Sequence, residues 1–280
     1  MPTFDFKQLD VFSRVALKGN PLAVVLGADS LSDQQMADFA QWTNLSETTF
    51  LLQPRDPRAD YRVRIFTTVQ ELPFAGHPTL GSCQAWLQAG GVPRGREIIQ
   101  ECEIGLVRIR REGDELAFIA PPLIRSGPLD VELLERVRLA LNLEPEAILR
   151  SHWVDNGAGW LALMLTDRQA VLALQPDYSK LLGLAVGVIA PCDPAYDEVD
   201  AQFEVRAFIV GDGAPEDPAT GSLNAGLAQW LLGEGLAPDA YVVSQGTTMG
   251  RVGRIRVARQ GDEVWIGGAV TVCIEGCLRL

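Results

Sequence analysis

Histidine is scarce in this sequence. His77 and His152 are the only two among 280 residues, too few for a histidine-based metal site, so no metal is expected. Cysteine is sparse as well. Cys83, Cys102, Cys192, Cys273 and Cys277 form an odd set with no C-x-x-C pair, which fits a reducing cytoplasm better than a disulfide framework. Long apolar runs are missing: 181-LLGLAVGVIAP-191 is far too short to cross a bilayer as a helix. The opening residues, MPTFDFKQLDVF, lack the basic start and apolar centre of a signal peptide, so a cytoplasmic location is expected. Positive charge is also in short supply. A net charge of −12 argues against a nucleic-acid partner and against docking on anionic membranes. It leaves room for a small anionic substrate held by a few local donors. There is no G-x-S-x-G elbow, no P-loop, and no G-x-G-x-x-G after a strand.

What is present describes an ordinary globular chain, 47% hydrophobic and 21% charged, long enough for one large domain or two of about 140 residues. Strand-like runs dominate, among them LAVVLG, ETTFLLQ, YRVRIFT, WLALMLT and EVRAFIV, several joined by turns such as Glu112-Gly113-Asp114 and Gln260-Gly261-Asp262. Helical patterns fall near residues 33–43, 78–89, 130–141, 168–174 and 219–233. Antiparallel strand runs with interspersed helices predict an α+β fold. The first helix has a clear start: Ser32 and Gln35 have capping-box spacing, Leu31 and Met36 form a staple, and Asn44 supplies the stop. Glu47 therefore opens the strand that follows.

The halves resemble each other. Segment 76-GHPTLGSCQAWL-87 lies on 221-GSLNAGLAQWLL-232 without a gap, and 19-GNPLAVVL-26 matches 157-GAGWLALML-165 in pattern. A duplicated chain would divide near 121-PPLIRSGPLD-130, giving lobes over 1–122 and 123–265, with a terminal strand over 266–280 able to return to the first lobe.

Three places invite chemistry, and each has a plainer reading. In 211-GDGAPEDPATGSLNAGLAQWLL-232, Asp217 and Pro218 suit an N-cap and first turn. Gly221 and Ser222 at that helix mouth, however, let a ligand approach unpaired amides and the helix dipole. His77 and Pro78 sit at a second such mouth after Gly76, where a histidine serves as a packing residue or faces a ligand. If the halves are duplicated lobes, both mouths address one cleft, and a carboxylate there needs no arginine. Glu47 is then the candidate proton carrier, the alternative being an exposed strand-end residue. Cys83, Cys273 and Cys277 read as buried packing residues.

These segments are similar to a known family. The chain resembles the PhzF phenazine biosynthesis-like proteins, of diaminopimelate epimerase-like fold, through 19-GNPLAVV-25, 44-NLSETTF-50, 64-RIFTTVQELPFAGHPTLG-81, 216-EDPATGS-222 and 245-QGTTMGR-251. The resemblance implies two similar lobes, each a curved, mostly antiparallel sheet around a central helix, in a homodimer without a metal or organic cofactor. It places the catalytic acid/base on Glu47 and the remaining catalytic residues on His77, Asp217 and Ser222. Asn20 would bind substrate, with Gly76 and Gly221 donating backbone N–H groups to it. Related epimerases carry a thiol at the tip of each central helix, whereas this chain reads Ala75-Gly76-His77 and Ala219-Thr220-Gly221. The expected activity is therefore isomerisation of a small carboxylate-bearing molecule by a 1,3 proton shift, dihydro-hydroxyanthranilate being the family's example. The alternatives are an epimerase or racemase using Glu47 and His77 as opposed bases, and a catalytically silent small-acid-binding protein. Two departures stand out: Thr68 where the family often has proline, and Val252-Gly253 where Pro-Ser commonly follows the arginine.

Overall fold

Parallel neighbours in a sheet need a crossover, and four helices of this chain serve as such connections. The computed structural model describes residues 2–211 and 214–280, so Asp212 and Gly213 of the glycine-rich segment before Asp217 lie outside the described residues. The chain forms two units, Met1–Ile119 with Gly267–Leu280, and Ala120–Ile266.

The first unit runs β1 (Thr3–Val11), β2 (Asn20–Leu26), α1 (Asp33–Thr43), β3 (Glu47–Leu52), β4 (Tyr61–Phe66), β5 (Glu71–Leu72), α2 (Gly76–Gln88), β6 (Ile98–Cys102), β7 (Gly105–Glu112) and β8 (Glu115–Ile119). Helix α1 connects the parallel pair β2/β3 and α2 connects the parallel pair β4/β6, while the other pairings in the unit are antiparallel. The second unit repeats this plan with β9 (Arg125–Gly127), α3 (Val131–Ala140), β10 (Ile148–Asp155), β11 (Trp160–Leu165), α4 (Arg168–Leu172), β12 (Ala185–Pro191), β13 (Phe203–Ile209), β14 (Glu216–Asp217), α5 (Gly221–Gly233), β15 (Ala240–Gln245), β16 (Gly253–Gln260) and β17 (Glu263–Gly268). Here α4 joins parallel β11/β12 and α5 joins parallel β13/β15. The last strand, β18 (Val270–Arg279), pairs antiparallel with β1 in the first unit, as β9 pairs with β10 in the second.

Strands β2, β11 and β12 are buried along almost their whole length and read as unbroken apolar runs rather than alternating ones. Strand β3 shows the division of labour. Phe50 and Leu52 point to one side and pack with Met36 and Phe39 of α1. Thr49 points to the other and accepts a hydrogen bond from Ser82 of α2 at 2.9 Å. Helix α1 is held at its ends as its sequence predicts: the Ser32/Gln35 capping box is formed, and Asn44 closes the helix in the left-handed region at φ 55°.

Helix α2 carries no amphipathic stripe because its first two turns are buried on every side against β1, β2, β3 and β8. Helix α5 is enclosed likewise, with β10, β11 and β16 about it. Close approach sets the glycines of these two helices: a Cβ at Gly81 would overlap Leu22 of β2, and one at Gly226 the Val154 carbonyl oxygen of β10.

Two expectations are corrected. Asp217 does not cap α5. It lies in β14, its backbone paired opposite Ala207, and Thr220 takes the cap position. Cys277 is exposed and Cys273 half-buried, whereas Cys83 is wholly buried. Strand β18 packs less closely than the inner strands, and Cys277 falls in its outward stretch.

Candidate functional site

Strand alternation decides where Glu47 points. It shares a face of β3 with Thr49, the face that meets α2. Its Oε2 accordingly lies 3.4 Å from Nε2 of His77, the second residue of α2, with the two side chains only 15% and 4% exposed. On the other side of the ring, Asn20 Nδ2 stands 3.3 Å from His77 Nδ1. Asn20 opens β2, next to β3 in the sheet, and Leu22 pairs with Glu47. Asn20, Glu47, Gly76 and His77 thus come together from three elements of one unit. The cap residue of α2, Ala75, has no side-chain acceptor to offer the first amides, and such a helix N-terminus favours an anion.

Burial pushes the His77 imidazole down to about 3, against the pull of the Pro21 carbonyl. The contact with Glu47 is therefore one between a carboxyl group and a neutral ring, not an ion pair. That has a consequence for stability. Unfolded, the ring takes up a proton near its ordinary value of 6.5; folded, it resists until about 3. Between those values the unfolded chain binds the extra proton, so the contribution is full above 6.5 and is lost as pH falls towards 3. Urea midpoints of the wild type should fall through this window more steeply than those of His77→Gln. Parallel curves would contradict a neutral buried ring.

The other predicted residues belong to the second unit and flank the mouth of α5. Glu216 fixes β14: it takes a two-pronged bond from Arg206, Nε to Oε1 at 2.9 Å and Nη2 to Oε2 at 2.8 Å, in a buried setting. Next to it, Asp217 Oδ2 accepts from the Thr220 hydroxyl at 2.5 Å. Ser222 Oγ accepts from Trp160 Nε1 at 3.0 Å, which leaves the serine its own hydrogen to donate. Asp217 and Ser222 thus take separate partners on either side of Gly221.

Sequence reasoning missed Thr220, Asn224 and Gln245. Gln245 is fully buried at the end of β15. Its Oε1 accepts from Thr220 N at 3.0 Å and Asn224 Nδ2 at 2.9 Å, and its Nε2 donates to Asp217 O at 3.0 Å and Thr220 Oγ1 at 2.8 Å. A signal was available, since Gln245 opens the 245-QGTTMGR-251 segment. It also follows Gly221 at the spacing by which Gln100 follows Gly76. His152, by contrast, is structural. It stacks on Trp230 with ring centroids 5.0 Å apart and accepts from Gly127 N at 3.0 Å, tying β9 and β10 to α5.

The sequence model of the phenazine biosynthesis-like proteins, PhzC-PhzF, matches residues 9–276. The chain belongs to the PhzC-PhzF family. Among relatives, antisense-enhancing sequence 1 of Schizosaccharomyces pombe is 34% identical, over 99% of both chains. Trans-2,3-dihydro-3-hydroxyanthranilate isomerase of Pseudomonas chlororaphis is 32% identical, over 87% of this chain and 86% of that one. The crystal structure of a PhzF-family protein from Enterococcus faecalis superposes with a TM-score of 0.81 at 24% identity, covering both chains fully, and shares the fold. This member of the family is an isomerase with the α+β architecture of two similar units described above.

Proposed function

We propose that this chain moves a proton between two carbons of a small carboxylate-bearing molecule, with Glu47 as both acid and base. The observation that carries the reading is the Glu47 carboxyl group, largely sheltered and 3.4 Å from neutral His77 at an uncapped helix mouth. Glu47 takes a proton from one carbon, and the electron pair of that C–H bond shifts the neighbouring double bond. The protonated carboxyl then returns the proton to the far carbon on the same face, a balanced 1,3 shift needing no other reactant. Amides at the α2 mouth stabilise the charge that develops. Asn20 and His77 orient the substrate and the carboxyl group. Asp217, Ser222 and the Gly221 amide are assigned to binding and proton relay from their places in the family's motif. Trans-2,3-dihydro-3-hydroxyanthranilate, the compound in the name of the Pseudomonas chlororaphis relative, is the first substrate to test. We also propose a cytoplasmic homodimer working without a cofactor.

Racemisation by two thiols finds no support, since neither helix mouth carries cysteine and the nearest along α2, Cys83, is fully buried with its thiol pushed up to about 12. A racemase using His77 as the second base would need that ring to charge near neutral pH, which its burial opposes. Solvent tracing separates the readings. A panel of small cyclic and amino-acid-like carboxylates, including the compound above, is incubated in D2O and followed by NMR. A moved double bond, with deuterium only at the carbons exchanging the proton, is the expected result. Deuterium at an inverted stereocentre with the double bond unmoved would defeat the proposal.

A further inference from the structure

The hydrogen bonds around Gln245 run in one direction only. A backbone N–H can only donate and a backbone C=O can only accept. Because Oε1 meets Thr220 N and Nε2 meets the Asp217 carbonyl, the orientation of this amide is settled by obligate partners. Its Nε2 must then donate to Thr220 Oγ1 as well. That leaves the Thr220 hydrogen for Asp217 Oδ2, at 2.5 Å. Asn224 locks the arrangement, its Nδ2 reaching both Gln245 Oε1 and the Thr220 carbonyl at 2.9 and 2.8 Å. Donation passes from Gln245 to Thr220 to Asp217 and cannot be reversed without leaving a buried amide mispaired.

The first unit holds a counterpart. Gln100, also fully buried, accepts from the Tyr61 hydroxyl at 2.9 Å and donates to Thr79 Oγ1 at 3.0 Å. Thr79 in turn donates to the Ala75 carbonyl at 2.9 Å. In the gapless match of the two helices Thr79 falls on Asn224, which likewise touches the buried glutamine and donates to the carbonyl just before the helix glycine, that of Thr220, at 2.8 Å. The link from glutamine through a hydroxyl to a carboxylate is added in the second unit alone, where Thr220 stands at the place of Ala75.

We propose that Thr220 and Gln245 are positioning residues for Asp217. The Thr220 hydroxyl, itself oriented by Gln245, donates to Oδ2 and so fixes the rotation of the Asp217 carboxyl group. This rests on the reading of Asp217 as part of the reacting machinery.

The test is a double-mutant cycle in kcat, with KM and thermal midpoint measured alongside, using the panel compound that exchanges fastest in D2O. Thr220→Val should lower kcat roughly 10- to 100-fold with little change in KM, the loss usual one step away from a reacting group. Thr220→Ser should restore most of it. In an Asp217→Asn background Thr220→Val should cost nothing further, because the hydroxyl acts only through the carboxylate. Thr220→Ala takes the place of the valine variant if that one fails to fold. Additive losses, or a serine variant no better than valine, overturn the proposal. If the wild type exchanges no proton with any panel compound, or Glu47→Gln loses nothing, the proposed function itself fails, and the relay with it. A wild type that turns over and a dead Glu47→Gln, together with an additive cycle, sink the relay alone.

Discussion

Glu47→Gln is expected to lower turnover by about 10²- to 10⁴-fold while changing affinity for 3-hydroxyanthranilate, an aromatic analogue of the first test substrate, by less than about 3-fold. The substitution keeps the length and shape of the side chain at the start of β3 and removes only its ability to gain and lose a proton. Neutral His77 makes the test clean. Next to a charged imidazole the neutral amide would leave a buried cation unbalanced; next to a ring depressed to about 3 it leaves none. Turnover and binding should therefore separate, and the thermal midpoint should stay near that of the wild type. A variant retaining more than about a tenth of the turnover would remove Glu47 from the chemistry. Equal loss of binding and turnover would make it a binding residue.

The second large effect is on folding. Gly226→Ala should destabilise the protein by about 3 kcal/mol or more, because the new Cβ overlaps a main-chain oxygen, that of Val154, which cannot rotate away. Helix α5 would have to move off β10, carrying Gly221 and Ser222 with it. Gly233→Ala in the same helix is the control. Nothing lies within 4 Å of a Cβ there, so alanine should stabilise by about 0.5–1 kcal/mol through helix propensity and a stiffer unfolded chain. Denaturant titrations of the two variants should move in opposite directions. A Gly226→Ala protein as stable as the wild type would mean that α5 does not press on β10 as described.

Local signals carried much of the architecture. Ser32, Gln35 and Asn44 announce α1 because capping is decided within a few residues. The glycine spacing shared by α2 and α5 shows the repeat because close packing of helix on strand tolerates no side chain at Gly81 or Gly226. Glu47 and His77 are legible as candidates, but their meeting depends on which face of β3 looks towards α2, a matter of tertiary packing. The misreading of Asp217 has the same origin. A carboxylate three residues before a threonine and a glycine is good N-cap chemistry, and only the pairing of β14 with β13 withdraws it from that role. Gln100 and Gln245 have no local pattern as lone strand glutamines, and their equal spacing from Gly76 and Gly221 marks them only once the two halves are aligned. Their importance comes from residues earlier in the chain, Thr79 in α2 for Gln100, and Thr220 at the cap and Asn224 within α5 for Gln245. Cys277 was misplaced because strand sequences do not reveal how closely a terminal strand packs.

The pairing of β1 with β18 makes the start of the first unit wait for a strand that follows the whole of the second. On the ribosome β1 emerges early, yet one of its edges stays unsatisfied until the second unit has been made. Strand β9, by contrast, is available before β10 has been made. The N-terminal sheet is thus begun early and sealed late, while the second can mature as it appears. Such a chain exposes an adhesive backbone edge while its second unit is being made, and its first unit closes only afterwards.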